Sequence, residues 1–129
     1  CVGVMGKGLA LQFKQRYPAN FQAYFIACQR QEVEPGQMFI TKTNALKYPE
    51  IIINFPTKRH WRDQSQLRDI IIGLRALRQE IDNRYISSIA IPPLGCGLGG
   101  LNWATQVHPL IWEHLRELPG TRIYVLSPE

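Results

Sequence analysis

The chain has 129 residues, which is the size of one ordinary domain. Hydrophobic residues make up 45% of the sequence and charged residues 19%, so the composition excludes a disordered tail and can supply a core. The 15 lysine and arginine residues exceed the 10 aspartate and glutamate residues, and the net charge of +5 favours partners that carry phosphate. No apolar run approaches the about 20 residues that cross a bilayer.

The N-terminal half of the sequence predicts two helices and two strands. Apolar residues that follow a glycine cluster predict a helix over 9–16, which ends before a proline. A second helix over about 21–28 has aromatic residues on one face. The apolar segments 38–41 and 51–55 predict strands, and the β-branched character of the second indicates that it is buried.

The C-terminal half alternates helices with strands. Apolar residues recur at three- and four-residue steps over 64–83, with charged residues on the opposite face, which predicts an amphipathic helix capped by Asp63. The segment 86–91 is a buried strand that ends at two prolines. A further helix fits 102–118, and a last strand fits 123–126.

The alternation of strands and helices predicts an α/β fold with a largely parallel sheet covered on both faces. In open sheets of this class, ligands lie at the carboxyl ends of the strands. Two glycine clusters, at 3–8 and 95–100, and the polar segment after Phe55 are therefore expected at one edge of the sheet.

Cysteine and histidine spacing gives no sign of a metal site or a disulfide scaffold. Cys1, Cys28 and Cys96 are odd in number and widely separated, which suits a reducing cytoplasm. The histidines at 60, 108 and 114 also lack the spacing of metal ligands.

The first glycine cluster is Gly3-Val4-Met5-Gly6-Lys7-Gly8. Glycine lets backbone N–H groups approach a phosphate closely, and the helix that follows adds partial positive charge. The cluster is not a nucleotide-binding Walker loop, because Gly8 stands where a serine or threonine would bind magnesium. A simple tight turn is the alternative.

The second glycine cluster is Gly95-Cys96-Gly97-Leu98-Gly99-Gly100, which fits the weak pattern GxGxxG. A dinucleotide fold would place an acid at the tip of the next strand, but the following acids lie in a predicted helix. The pattern therefore favours two glycine loops that grip one diphosphate. Cys96 is either a nucleophile or, as its small size in a tight loop favours, a packing residue.

The third feature is the basic segment Asn54 to Arg62, which follows a strand. A lysine at a strand end beside an anion site, such as Lys58, binds phosphate or acts as an amine nucleophile. Trp61 is placed to stack on a base, whereas Trp103 and Trp112 fit helix packing. A solvated basic loop is the alternative for this segment.

Together these three segments resemble the macrodomain family of ADP-ribose-binding modules and ADP-ribosyl hydrolases, over essentially the whole chain. For the second cluster, the resemblance includes the four preceding residues, Ile91-Pro92-Pro93-Leu94. More narrowly, the DarG antitoxin branch is resembled by three stretches, Val2 to Gly8, Ile53 to Arg62 and Leu101-Asn102-Trp103. Members of that branch are DNA ADP-ribosyl glycohydrolases, which reverse the thymidine modification made by the DarT toxin.

The resemblance implies a three-layer α/β/α fold with a mixed, largely parallel sheet, and it assigns roles. Lys58 takes the catalytic role, with no metal and no cofactor. The residues implied to bind the diphosphate and ribose are Gly3, Val4, Met5, Gly6, Lys7, Gly8, Gly95, Cys96, Gly97, Leu98 and Gly99. The expected contacts to substrate DNA are Thr57, Arg59, His60, Trp61 and Arg62.

The expected ligands are ADP-ribose and ADP-ribosylated single-stranded DNA, in the cytoplasm, with a DarT-type toxin as partner through the rest of a parent protein. A related protein-directed hydrolase carries an acid where this chain has Gly99, and this departure favours the DNA-directed function. Two alternatives stay open, a module that binds ADP-ribose without chemistry and a hydrolase of protein-linked ADP-ribose.

The family has a first strand and asparagines ahead of the first glycine loop. Because a phosphate loop needs a strand to launch it, we expect residues 1–129 to be a macrodomain that lacks roughly 20 N-terminal family residues. The contacts to adenine and to the distal ribose would then lie upstream of Cys1.

Overall fold

The computed structural model describes residues 8–44, 49–60 and 62–128. The predicted helices and strands are all present, with bounds that shift by a few residues. The elements in chain order are α1 (Gly8–Arg16), α2 (Pro18–Gln29), β1 (Phe39–Lys42), β2 (Ile51–Asn54), α3 (Leu67–Asn83), β3 (Ser88–Ile91), a π-helical segment (Trp103–Val107), α4 (His108–Leu115) and β4 (Arg122–Val125).

The strands described in this structure form two pairs of opposite sense. β1 and β2 are antiparallel, with Phe39 opposite Asn54 and Lys42 opposite Ile51. β3 and β4 are parallel, and the π-helical segment and α4 make the crossover between them. The α/β class is confirmed, but the strands that the structure describes form two separate two-stranded sheets in place of the expected mixed, largely parallel one. The connection between β1 and β2 is shorter than the dozen or more residues that a parallel crossover takes, so the first pair is antiparallel.

The core is built around one face of α3. Ile70, Leu74, Leu77 and Ile81 recur at three- and four-residue steps and are all buried, as the sequence predicts. They pack with buried residues of β3, of the turn before the second glycine cluster, of the π-helical segment and of α4, which are Ile91, Leu94, Val107, Ile111 and Leu115. Because α3 is fixed along its whole length, its first turn is a rigid point from which a site can be built.

A smaller cluster lies under α2, where Ala27, Cys28 and Val33 are buried. Tyr24 and Phe39 pack against it with their ring centroids 5.7 Å apart. Burial, with Cys28 beside the phenol as a lesser cause, raises the pKa of Tyr24 well above its ordinary value. The cluster attaches α2 to the hairpin of β1 and β2.

Two sequence expectations at helix ends are wrong. α3 begins at Leu67, and its capping residue is Gln66, which makes no side-chain capping bond, so Asp63 is not the cap. The reason is that Ser65 donates its backbone N–H to Gly99 (2.9 Å), which holds the chain before α3 extended. The last helix ends at Leu115, because Arg116 is in an extended conformation.

The packing expectation also fails for Trp112, whose side chain is 68% exposed. It lies on the outer side of α4 and lines a shallow apolar cleft with Ile123 and Val125 of β4. Within residues 8–44, 49–60 and 62–128, no helix combines the length and the apolar character that crossing a bilayer requires.

Candidate functional site

Part of the predicted site lies outside the described residues. These positions are Gly3, Val4, Met5, Gly6, Lys7 and Trp61. Of the first glycine cluster, Gly8 is described: it begins α1 with a φ of +62°, a left-handed conformation that favours glycine. The structure describes all the remaining predicted residues, which are Thr57 to His60, Arg62 and Gly95 to Gly99.

A buried amide network fixes the end of β2, from which the basic segment begins. The Asn54 side chain donates to the carbonyl oxygen of Phe39 (3.0 Å) and to Oδ1 of Asn20 (2.8 Å). Asn20 is buried, donates back to Asn54 (3.1 Å) and accepts from the Thr41 hydroxyl (2.6 Å). The sequence gives no local signal for this network, because its members come from α2, β1 and β2.

Aromatic packing directs the chain from β2 toward α3. The ring of Phe55 lies against Gly73, where an added Cβ would be only 2.6 Å from Cε1. Pro56, the next residue, is buried. A glycine on the buried face of α3 therefore admits the aromatic ring, and the basic segment passes close to the first half of that helix.

The predicted catalytic Lys58 is half-buried, as is Thr57 before it. The chain then turns: the backbone N–H of Arg62 donates to Nδ1 of His60 (3.2 Å), and that of Asp63 donates to the His60 carbonyl (3.0 Å). His60 and Arg62 are exposed. The segment therefore presents a sheltered lysine followed by an exposed basic turn.

Arg59 forms an ion pair with Asp69 in the first turn of α3, with Nη2 and Oδ1 3.0 Å apart. The Asp69 side chain is 1% exposed and that of Arg59 is 50% exposed. The carboxylate is thus a fixed interior anchor, and the guanidinium reaches in to it from the surface. This contact holds the residue next to Lys58 against α3.

The second glycine cluster is a compact loop shaped by left-handed glycines. Gly95 and Gly100 have φ values of +72° and +80°. The backbone N–H of Leu101 donates to the Gly95 carbonyl (3.0 Å), and that of Gly100 donates to the Gly97 carbonyl (3.1 Å). Gly97 is exposed and Leu98 is 71% exposed. The tip of the loop therefore presents backbone to solvent, as a phosphate-gripping loop requires.

Close packing against Ser65 holds the base of this loop. The backbone N–H of Ser65 donates to the Gly99 carbonyl (2.9 Å). A Cβ at Gly99 would overlap Ser65 Oγ and the Gly95 carbonyl oxygen. The absence of an acid at Gly99 is therefore a packing requirement, because a carboxylate side chain there would displace either Ser65 or the loop.

Cys96 has the properties of a packing residue. Its thiol donates to the Leu94 carbonyl (3.5 Å), and burial raises its pKa. A raised pKa keeps the sulfur in the protonated thiol form near neutral pH, which is the unreactive form. The geometry thus favours the packing alternative over the nucleophile.

A capping arrangement follows the loop. Asn102 accepts bonds from the Thr105 backbone N–H (2.9 Å) and hydroxyl (2.8 Å), and its own N–H donates to the Gln106 side chain (2.8 Å). Trp103 stacks on His108 with ring centroids 5.0 Å apart. These contacts begin the π-helical segment and fix the exit of the glycine loop.

Sequence reasoning missed Ser65 and Asp69, which connect the basic segment to the glycine loop. A signal existed for Asp69, which lies four residues before Gly73 and eight before Leu77, on the buried face of α3. Across the described parts of the chain, no group of three or more His, Cys, Asp and Glu side chains is placed to hold a metal ion.

The sequence matches the family model of the Macro domain over residues 1–109. It is 49% identical over 128 residues to a DNA ADP-ribosyl glycohydrolase of Mycobacterium tuberculosis, a match that covers 99% of this chain and 36% of that protein. A protein of the same name from Thermus aquaticus is 46% identical, with coverages of 98% and 35%. The chain thus spans about a third of the length of these curated relatives.

Solved structures give matching results. The macrodomain of Mycobacterium tuberculosis DarG matches with a TM-score of 0.97 at 49% identity, over 100% of this chain and 84% of that one. The structure of Thermosipho africanus DarTG in complex with ADP-ribose matches with a TM-score of 0.84 at 36% identity, over 99% and 36% of the two chains.

Proposed function

The chain belongs to the macrodomain family, and from that premise we propose that it removes ADP-ribose from thymidine in DNA. The observation that carries the proposal is that Arg59, the residue after Lys58, and the second glycine loop are both held at the same end of α3. A nucleophile and a diphosphate-binding loop in one place suit the cleavage of a bond at the ribose of ADP-ribose. The relatives named DNA ADP-ribosyl glycohydrolase favour DNA as the carrier of that ribose.

The glycine loops supply binding in this proposal. Backbone N–H groups at the exposed tip of the second loop, around Gly97 and Leu98, bind the diphosphate from one side. Gly3 to Gly8 bind it from the other side, with the N-terminus of α1 adding partial positive charge. Because this binding uses mainly backbone groups, it tolerates side-chain changes at the catalytic position.

Lys58 supplies the chemistry. Its amine, in the neutral form, attacks the anomeric carbon of the distal ribose. The bond from that carbon to the thymine nitrogen breaks, and the nitrogen takes up the proton that the attacking amine gives up. If the ribose ring opens, the bond to Lys58 is an imine. Water then displaces the amine, which releases ADP-ribose and restores the lysine.

The basic turn after Lys58 guides the DNA in this account. Thr57, Arg59, His60, Trp61 and Arg62 are the proposed contacts to the single strand. Contacts of lysine and arginine to DNA phosphates release bound counterions, so affinity falls as salt rises. The net charge of +5 acts in the same direction. Arg59 retains half its surface for this role while its Nη2 holds Asp69.

The rest of the proposal concerns the cellular setting. We place the protein in the cytoplasm, where Cys28 and Cys96 persist outside disulfide bonds. A DarT-type toxin is the proposed partner through the remainder of a parent protein. A curated relative from Thermosipho africanus, named as a fusion of DNA ADP-ribosyl transferase and DNA ADP-ribosyl glycohydrolase, favours this association.

The experiment that tests the function compares two substrates under identical conditions. An oligonucleotide that carries ADP-ribosylated thymidine and a protein ADP-ribosylated on acidic side chains are each incubated with the purified protein. We expect unmodified oligonucleotide and free ADP-ribose from the first substrate and no release from the second. Binding without product would indicate a module that only binds ADP-ribose, and release from protein alone would identify a protein-directed hydrolase. Either result would contradict the proposal.

A further inference from the structure

We propose that Asp69, acting through Arg59, is a positioning residue that sets Lys58 at its working distance from the second glycine loop. The inference rests on the catalytic role proposed for Lys58. Asp69 itself is buried and makes its ion pair with the neighbour of the lysine, so its effect on the reaction is indirect. The proposal follows from three features of the first turn of α3.

The first feature is the difference in burial between the two partners. The Asp69 side chain is 1% exposed, so it has one conformation fixed by packing, whereas Arg59 is 50% exposed. Arg59 therefore adapts to Asp69 and not the reverse. Because Lys58 and Arg59 are adjacent in the chain, the backbone of the lysine is constrained wherever the guanidinium is held.

The second feature is the rigidity of the anchor. The backbone N–H of Asp69 donates to the Gln66 carbonyl (3.0 Å), and the next residue, Ile70, is fully buried in the core. The carboxylate also lies in the first helical turn, where the partial positive charge of the helix end favours an anion. Through Asp69, the basic segment is therefore held at a fixed position relative to the core.

The third feature is that the same stretch of chain holds the glycine loop. Ser65, four residues before Asp69, donates its backbone N–H to Gly99 (2.9 Å). Its side chain also packs on Gly95, where an added Cβ would lie 3.2 Å from Ser65 Cβ. Residues 65–69 therefore contact the basic segment through Asp69 and the second glycine cluster through Ser65. This one short segment fixes the separation of the two.

The contact between the partners is directional. Arg59 bonds to one carboxylate oxygen, Oδ1, and within the described ranges the buried Oδ2 has no hydrogen-bond partner. Asparagine at position 69 would keep an acceptor at Oδ1 and lose the charge, whereas alanine would lose both. The two substitutions therefore form a graded series for the positioning contact.

The test measures turnover of ADP-ribosylated oligonucleotide, ADP-ribose affinity and melting temperature for Asp69→Ala, Asp69→Asn, Arg59→Ala and the double alanine variant. Misplacement of a reacting group by about 1 Å costs on the order of 100-fold in rate. We expect that loss in kcat for Asp69→Ala, a smaller loss for Asp69→Asn, and unchanged ADP-ribose affinity in both. The double variant should lose no more kcat than Arg59→Ala, since the Arg59–Asp69 contact is already absent there, and the loss of the DNA contact proposed for Arg59 should raise KM instead.

The matched control is Glu80→Gln, on the same helix. Glu80, in the last turn of α3, pairs with Arg84 at 2.8 Å, away from the basic segment. This variant should keep wild-type kcat. The inference is overturned if Asp69→Ala keeps wild-type kcat, or if its kcat and ADP-ribose affinity fall together with its melting temperature. Should Asp69→Ala fail to fold, Asp69→Asn and Arg59→Ala carry the same comparison.

A second readout separates this inference from the proposed function. If the wild-type protein cleaves no modified DNA, the proposed function fails, and crystal structures with ADP-ribose test the positioning alone. In Asp69→Ala we expect the Lys58 backbone to move by more than about 1 Å relative to Gly99, with α3 unchanged. An unmoved Lys58 would contradict the inference.

Discussion

α3 carries an arginine–carboxylate pair at each end, and the two pairs differ in what they join. Arg84 and Glu80 are four residues apart on the surface, with side chains 45% and 32% exposed. Arg59 and Asp69 are ten residues apart, and the carboxylate is buried. Water screens the first pair, whereas the buried carboxylate depends on its partner. The same chemistry is local at one end of the helix and joins separate segments at the other.

The residues near the two ion pairs also differ in what they contact. At the first end, residues 65–69 touch both the basic segment and the glycine loop. Toward the other end, Arg78 bonds to the carbonyl oxygens of His114 and Arg116, both at 2.9 Å, which attaches the end of α4 to α3. We therefore expect changes near the first end to alter ligand binding or catalysis, and changes toward the second to alter stability alone.

The largest effect is expected from Gly99→Asp. The new side chain would overlap Ser65 Oγ and the Gly95 carbonyl. Overpacking of this kind costs about 3 kcal/mol of the free energy of unfolding, and displacement of the loop should abolish ADP-ribose binding. Denaturation in urea and calorimetric titration with ADP-ribose measure the two effects. Gly120→Ala is the control, because its Cβ would meet open space and Gly120 is not part of the proposed site. Wild-type binding by Gly99→Asp would refute the steric account of this loop.

A medium effect is expected from Arg78→Ala, toward the other end of α3. Carbonyl groups at the end of α4 lose their donors, which should lower the free energy of unfolding by about 1–2 kcal/mol. The kcat for modified DNA should stay at the wild-type value. Arg75→Ala, an exposed arginine on the same helix, serves as the control for stability. A fall in kcat without a fall in stability would remove the contrast between the two ends.

The smallest effect is expected from Glu80→Gln. An exposed pair four residues apart on a helix contributes about 0.3–0.5 kcal/mol, and salt screens it. The free energy of unfolding should change by no more than this amount, and less at high ionic strength. A loss comparable to that of Arg78→Ala would show that exposure does not explain the difference between the pairs.

Local patterns were sufficient to predict the helices. The three- and four-residue steps of Ile70, Leu74, Leu77 and Ile81 predict both α3 and its buried face, and the structure confirms them. The cap was predicted wrongly because the signal at Asp63 is local, whereas a bond from Ser65 to Gly99 decides where the helix begins.

Contacts between distant segments were not predictable in the same way. The Arg59–Asp69 pair joins a loop to a helix, and the Asn20–Asn54 bond joins residues 34 apart. Nothing in the spacing of either pair marks it in the sequence. Trp112 shows the complementary error, because a large apolar residue on a helix suggests packing and this one is mostly exposed. Of the proposed site, the sequence predicts the glycine loop and Lys58, whereas the contacts of Ser65 and Asp69 are visible only in the fold.

In the proposed function, Lys58 carries the chemistry while the glycine loops carry the binding. The direct measurement is the single-turnover rate of Lys58→Ala on ADP-ribosylated oligonucleotide, alongside its affinity for ADP-ribose. Lys42→Ala is the control, because Lys42 is exposed and lies opposite Ile51 at the start of β2, whereas Lys58 follows the end of that strand. We expect a loss of about 1,000-fold or more in rate, with affinity unchanged and with Lys42→Ala at wild-type values. Retained turnover by Lys58→Ala would contradict the account.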